Sequence, residues 1–81
     1  MKRECLEMLI DAGREIEFTY HGNRYSITYY NDDRKKYISI CKFYETPVDV
    51  STSAEALKVT IGRYTLEQIF AALPDKAIDI Y

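Results

Sequence analysis

The sequence lacks any apolar run that approaches the roughly 20 residues needed to span a bilayer. Its N-terminal segment is interrupted by charges, among them Glu7 and Asp11, and has no pattern of a secretory signal. We therefore expect a cytoplasmic protein with no membrane association. The only two cysteines, Cys5 and Cys41, should then be free, reduced and partly buried, since no framework of paired cysteines is present.

The chain also lacks a large charge of either sign, with 13 acidic and 11 basic residues and a net charge of −2. General nucleic-acid binding depends on a basic face that neutralises phosphates, so this balance argues against that class. Disorder requires few aromatic residues and a high net charge, whereas eight tyrosines and three phenylalanines are present. We expect one folded domain covering residues 1–81, because the chain has room for a single core.

Motifs for metal, phosphate or cofactor binding are missing as well. The single histidine, His21, is far in sequence from both cysteines, and Asp32 with Asp33 lacks the ligand spacing of a calcium loop. The three glycines are isolated from one another, so the chain contains neither a phosphate-loop motif nor a glycine-rich dinucleotide-binding motif. A Cys41–His21 nucleophile pair is the sharpest catalytic alternative, but a cysteine in mid-strand usually packs as a small apolar residue. The sequence predicts no enzyme, no cofactor, no metal site and no small-molecule substrate.

The first segment has the periodicity of a helix from Lys2 to Ala12, which Gly13 would end. Helical spacing predicts an apolar stripe formed by Cys5, Met8, Leu9 and Ala12 and widened by Leu6 and Ile10.

From Arg14 onward apolar and polar residues alternate with a period of two, which indicates a β-hairpin. Its tip is either His21-Gly22 or Gly22-Asn23, and both registers place the same apolar residues on one face: Ile16, Phe18, Tyr25, Ile27 and Tyr29. A third strand follows over Tyr37 to Phe43. If residues 32–35 form the loop before it, Tyr30 lies opposite Tyr37, whereas a slip of one residue would exchange the two faces.

The C-terminal half predicts two helices. Thr52 with Glu55 fits a capping box before a short helix over residues 53–58, and Pro47 ends the strand region before it. Thr65 with Gln68 is a second capping box. Apolar residues at helical spacing follow it before Pro74: Leu66, Ile69, Phe70 and Leu73. Residues 59–62 are compatible with a loop or a strand, and the tail alternates as a short strand would.

These elements predict an α+β fold of order α-β-β-β-α-α, in which helices cover one face of a three-stranded antiparallel meander and the tail can add a strand. The second face is then either covered by the tail residues Ile78, Ile80 and Tyr81 or used to bind a partner. Aromatic residues predicted on or beside this face are the candidate binding residues: Tyr30, Tyr37, Phe43 and Tyr44.

A protein-interaction module best fits a foldable chain without catalytic groups. In size and style the sequence resembles short proteins of bacteria, their mobile elements and phages, some of which inhibit or regulate larger host machines. The expected partner is another protein or a second copy of the chain. The alternative is a nucleic-acid-binding domain in which bases stack on Tyr30 and Tyr37 beside the basic run Arg34-Lys35-Lys36.

Overall fold

The computed structural model describes residues 1–81 and contains three helices and seven strands. The helices are α1 (Arg3–Asp11), α2 (Ser53–Leu57) and α3 (Leu66–Ala72), with one 3-10 turn at Asp75–Ala77. The strands are β1 (Ile16–Tyr20), β2 (Asn23–Asp32), β3 (Lys35–Lys42), β4 (Val48–Val50), β5 (Thr60–Ile61), β6 (Tyr64–Thr65) and β7 (Ile78–Ile80).

Five strands form one antiparallel sheet in the order β4-β3-β2-β1-β7, and β5 pairs with β6 in a separate two-stranded ribbon. The α+β fold and the central meander are confirmed. The tail adds the short strand β7 at one edge of the sheet, as the sequence allows, and β4 adds an unpredicted strand of three residues at the other edge. None of the helices has the length and apolar character needed to cross a membrane.

The register of the meander agrees with the sequence pattern. Tyr30 pairs with Tyr37 and Ile27 pairs with Ile40. The first hairpin turns at His21-Gly22, where both residues have positive φ, as a primed turn requires. The second turns at Asp33-Arg34 with φ values of 49° and 68°, so this tight turn is made without glycine.

The core lies between the sheet and the three helices. Leu6 and Ile10 of α1 are buried against the sheet, whereas Cys5 is exposed and Met8 is 64% exposed. The predicted apolar stripe of α1 was therefore centred on the wrong residues. The cause is that α1 offers apolar side chains around more than half of its circumference, and packing against α2 and α3 selects among them.

Helix α3 was correctly predicted from its local signals. The Thr65 hydroxyl accepts a hydrogen bond from the Gln68 amide, and the Gln68 side chain accepts one from the Thr65 amide, which completes the capping box. Phe70 is fully buried, with its ring edge against Phe18 at 4.7 Å between centroids. At α2 the Thr52 hydroxyl accepts from the Glu55 amide.

The tail forms β7 and pairs with β1, at the opposite edge of the sheet from β4. Ile78 pairs with Phe18 and Ile80 with Ile16, so both isoleucines share the helix-covered face. The predicted possibility that the tail covers the second face is therefore wrong. A strand hydrogen-bonded at the sheet edge extends both faces and covers neither.

Candidate interaction surface

We call the side of the sheet that carries no helix the open face. Side chains alternate along each strand, so the register places every second residue there. Its members on the five strands are Glu17, Thr19, Arg24, Ser26, Thr28, Tyr30, Asp32, Lys35, Tyr37, Ser39, Cys41, Asp49 and Asp79. The open face is the candidate functional surface because the core and all three helices lie on the opposite side of the sheet.

Tyr30 and Tyr37 form what we call the tyrosine pair, near the β2–β3 turn. Their rings stack with centroids 5.2 Å apart and planes inclined by 22°. Tyr30 remains 42% exposed, so one side of the stack faces solvent. Because the two strands are hydrogen-bonded neighbours in a long ladder, the pair is held on a rigid platform.

Asp49 of β4 lies beside the tyrosine pair. The Tyr30 hydroxyl donates a hydrogen bond of 2.6 Å to Oδ2 of Asp49. This bond, followed by desolvation and the negative charge of Asp49, raises the pKa of Tyr30 to about 12. Asp49 takes part in none of the three ion pairs of the protein, so its charge has no cationic partner.

Small side chains fill the middle of the open face. Ser26 pairs with Cys41 and Thr28 pairs with Ser39. Ser39 is only 8% exposed because it lies low between larger neighbours. The centre of the open face is therefore lined by small hydroxyl and thiol side chains, with the tyrosine pair at one end.

Phe43 and Tyr44 lie at the other end of the open face, just after β3. The Phe43 amide donates to the Arg24 carbonyl, which continues the β2–β3 ladder by one position. Tyr44 is fully exposed and has a φ of 68° in the turn that follows. Tyr37 and Phe43 are six positions apart along extended chain, which corresponds to about 20 Å. The four predicted binding residues thus form two separate aromatic pairs rather than one patch.

A cluster of charges lies on the β1 and β7 side of the open face. Arg24 donates to Glu17 at 3.2 Å and also to Asp79. The hydrogen bond to Asp79 is the main reason that the pKa of Arg24 is raised. The guanidinium also donates to the Thr19 hydroxyl, so three groups of the open face already engage Arg24.

The basic run Arg34-Lys35-Lys36 does not form one surface. Lys35 lies on the open face opposite Asp32, whereas Lys36 points to the other side, with its ammonium 5.8 Å from the centre of the Tyr29 ring. Arg34 lies in the turn itself. Strand alternation alone predicts this separation of the two lysines, and the sequence interpretation overlooked it.

The cysteines and the histidine are not brought together. The Cys41 thiol is half-buried and lies 2.9 Å from the carbonyl oxygens of Lys42 and Glu45, to which it can donate. His21 instead stacks on Tyr20 at 4.0 Å between centroids. No hydrogen bond joins Cys41 to His21, and no group of three His, Cys, Asp or Glu side chains is placed to hold a metal ion.

Two adjoining grooves lie away from the open face, between the first hairpin tip, the β5–β6 ribbon and α3. Their volumes are 330 and 410 Å³, and both are lined by Tyr20, His21 and Tyr64. They are wide, solvent-open depressions without converging polar groups, and we assign them no role.

Comparison with known proteins adds no assignment. No protein-family model matches this sequence, and no curated protein or solved structure matches it.

Proposed function

We propose that this chain is a non-enzymatic interaction module that binds another protein through the open face and thereby regulates or inhibits it. One observation carries the proposal: all three helices pack on the opposite side of the sheet, and an exposed aromatic platform remains uncovered. Small monomers seldom expose grouped aromatic side chains that have no binding role.

The composition of the open face supports protein recognition. Tyrosine supplies rigid contact area with an apolar ring and a polar tip, and serine and threonine supply adaptable hydrogen bonds. The same combination characterises surfaces that bind proteins with moderate affinity. Here it lies on a hydrogen-bonded sheet, so little backbone order has to be gained on binding.

The size of the open face favours a reversible complex. Five strands about 4.8 Å apart, with a mean length of about 20 Å, give an area on the order of 500 Å². Burying this area on both partners amounts to about 1,000 Å², the low end for specific interfaces. Such an interface suits a regulator that binds and dissociates.

The charges of the open face oppose the nucleic-acid alternative. Asp49 beside the tyrosine pair would repel phosphates, while Lys35 lies opposite Asp32 and Arg24 is already paired. The tyrosines stack on each other, so each has already used one ring face that a base would need.

Site-specific photocrosslinking in the source cells tests the proposal. Benzoylphenylalanine replaces Thr28 at the centre of the open face in one variant and Met8 on the exposed side of α1 in the matched control. We expect a protein adduct from position 28 and none from position 8. Adding Tyr30→Ala and Tyr37→Ala to the Thr28 variant should abolish the adduct while circular dichroism remains that of the folded protein.

Several results would overturn the proposal. Equal crosslinking from both positions means that capture does not depend on the open face. Absence of an adduct from either position, or an adduct only with nucleic acid, contradicts a protein partner. An adduct only between copies of the chain replaces the proposed partner with a homodimer.

A further inference from the structure

We infer that the tyrosine pair and Asp49 together bind an arginine side chain of the partner protein, an inference that rests on the proposed function. The starting point is the charge balance of the open face, whose strands carry four carboxylates and two cations. Arg24 pairs with Glu17 and Asp79, which accounts for two of the carboxylates.

The remaining charges leave Asp49 unneutralised. Asp32 lies directly opposite Lys35 across the β2–β3 ladder, where opposite charges attract. Asp49 has only the neutral Tyr30 hydroxyl as a hydrogen-bond partner. A partner surface that buried this carboxylate without supplying a cation would bear a large desolvation cost. The complementary group is therefore a positive one.

The geometry favours a guanidinium over an ammonium ion. The Tyr30 hydroxyl occupies Oδ2 of Asp49, and a carboxylate has further acceptor positions, including those on Oδ1. The Tyr30 ring, whose hydroxyl contacts this carboxylate, is 42% exposed. A planar guanidinium can stack on an aromatic ring while its N–H groups donate to a carboxylate, whereas lysine offers a point charge without a plane.

The protein's own arginines do not fill this position. Arg34 is the arginine nearest in sequence to the tyrosine pair, and it makes no ion pair or ring contact in the structure. Arg34 lies in a tight turn whose two residues have a left-handed backbone conformation, and this fixed backbone restricts where the Arg34 side chain can reach. The tyrosine pair and Asp49 thus form a preorganised acceptor for a side chain from another molecule.

The test is an NMR titration of the full chain with the blocked peptide Gly-Ser-Arg-Ser-Gly and with analogues that carry lysine or citrulline in place of arginine. We expect saturable shifts of the Tyr30 and Tyr37 ring resonances with the arginine peptide. The neutral citrulline peptide should bind about tenfold more weakly or not measurably, since it keeps the shape but loses the charge. Raising the salt concentration should weaken the arginine complex.

Two protein variants locate the effect. Asp49→Asn keeps an acceptor for the Tyr30 hydroxyl but removes the charge, and we expect about a tenfold loss of affinity for the arginine peptide. Asp75→Asn makes the same change at an exposed position just before β7, at the opposite edge of the sheet from β4. This variant should bind the arginine peptide as the wild type does. Amide spectra that match outside the substituted segment establish that both variants fold.

Equal binding of the arginine and citrulline peptides, or unchanged binding by Asp49→Asn, would overturn the inference, as would the absence of saturable ring shifts. Binding of the lysine peptide as strong as that of the arginine peptide, or stronger, would also overturn it, because the site would then recognise charge alone. These outcomes are separable from failure of the proposed function, because photocrosslinking from Thr28 reports on a protein partner whether or not that partner uses an arginine.

Discussion

Replacement of Phe70 by alanine should be among the most destabilising single substitutions in this chain. Phe70 is fully buried on α3, where its ring packs edge-on against Phe18. Phe18 in turn stacks on Tyr25 at 5.2 Å between centroids, so the Phe70 ring connects α3 to an aromatic cluster on two strands. The Phe70 carbonyl also accepts a 2.8 Å hydrogen bond from the Met1 ammonium, which connects the N-terminus before α1 to α3.

The expected magnitude follows from this environment. Truncating a buried phenylalanine to alanine costs about 3 to 5 kcal/mol, which includes the cavity that remains. Phe70 should fall in the upper half of that range, because both the edge-to-face contact and the packing of α3 are lost. A domain of this size has a total unfolding free energy of roughly 4 to 12 kcal/mol. The substitution therefore removes a large fraction of the stability, and Tm should fall by more than about 12 °C.

Urea unfolding followed by circular dichroism measures the effect. The matched control is Met8→Ala, which truncates an apolar helical residue that is 64% exposed and should change the unfolding free energy by less than about 0.5 kcal/mol. If Phe70→Ala does not fold, Phe70→Leu should still cost about 1 kcal/mol. A Phe70→Ala midpoint equal to that of the wild type, or an equal loss in Met8→Ala, would falsify the packing described for α1 and α3.

Three further predictions concern the thiols, the tyrosine pair and the tail. Iodoacetamide should label Cys5 faster than Cys41 in the folded protein, as peptide mass spectrometry can show, because only Cys5 is exposed. The ring resonance of Tyr30 should titrate near pH 12, and Asp49→Asn should lower that pKa toward the ordinary value of about 10. Because the folded state favours the protonated Tyr30 hydroxyl, this group stabilises the fold below about pH 10, and the contribution is lost as the pH rises to about 12. The stability of the wild type should therefore fall more than that of the variant over this interval. Deleting residues 78–81 removes an edge strand and should cost roughly 1 to 3 kcal/mol in urea unfolding, whereas unchanged stability would mean that β7 is not held in the sheet.

The parts of the fold that the sequence predicts are those determined by neighbours along the chain. Alternation of period two and a short turn specify the pairing of Tyr30 with Tyr37, because a slip of one residue would turn Ile38 and Ile40 out of the core. The capping box at Thr65 likewise involves residues only three apart. Local chemistry therefore accounts for the meander, for α3 and for which face carries the tyrosine pair.

The parts that could not be predicted depend on contacts between distant segments. Strand β4 has only three residues and follows Pro47, which reads as the end of a strand region. Its pairing with β3 brings Asp49 to Tyr30, a contact that no local pattern indicates. The orientation of α1 has the same origin, since Leu6 and Cys5 are equally compatible with a helical stripe until other elements pack against it.

The Asp33-Arg34 turn gives an experimenter a means of separating recognition from folding. An L-residue such as Arg34 pays a steric cost in the left-handed region that glycine does not, so Arg34→Gly should raise the unfolding free energy by about 1 kcal/mol. The gain requires no change to any side chain of the open face. Disruptive substitutions on that face can therefore be introduced into this stabilised background, where a loss of binding is not confused with a loss of structure.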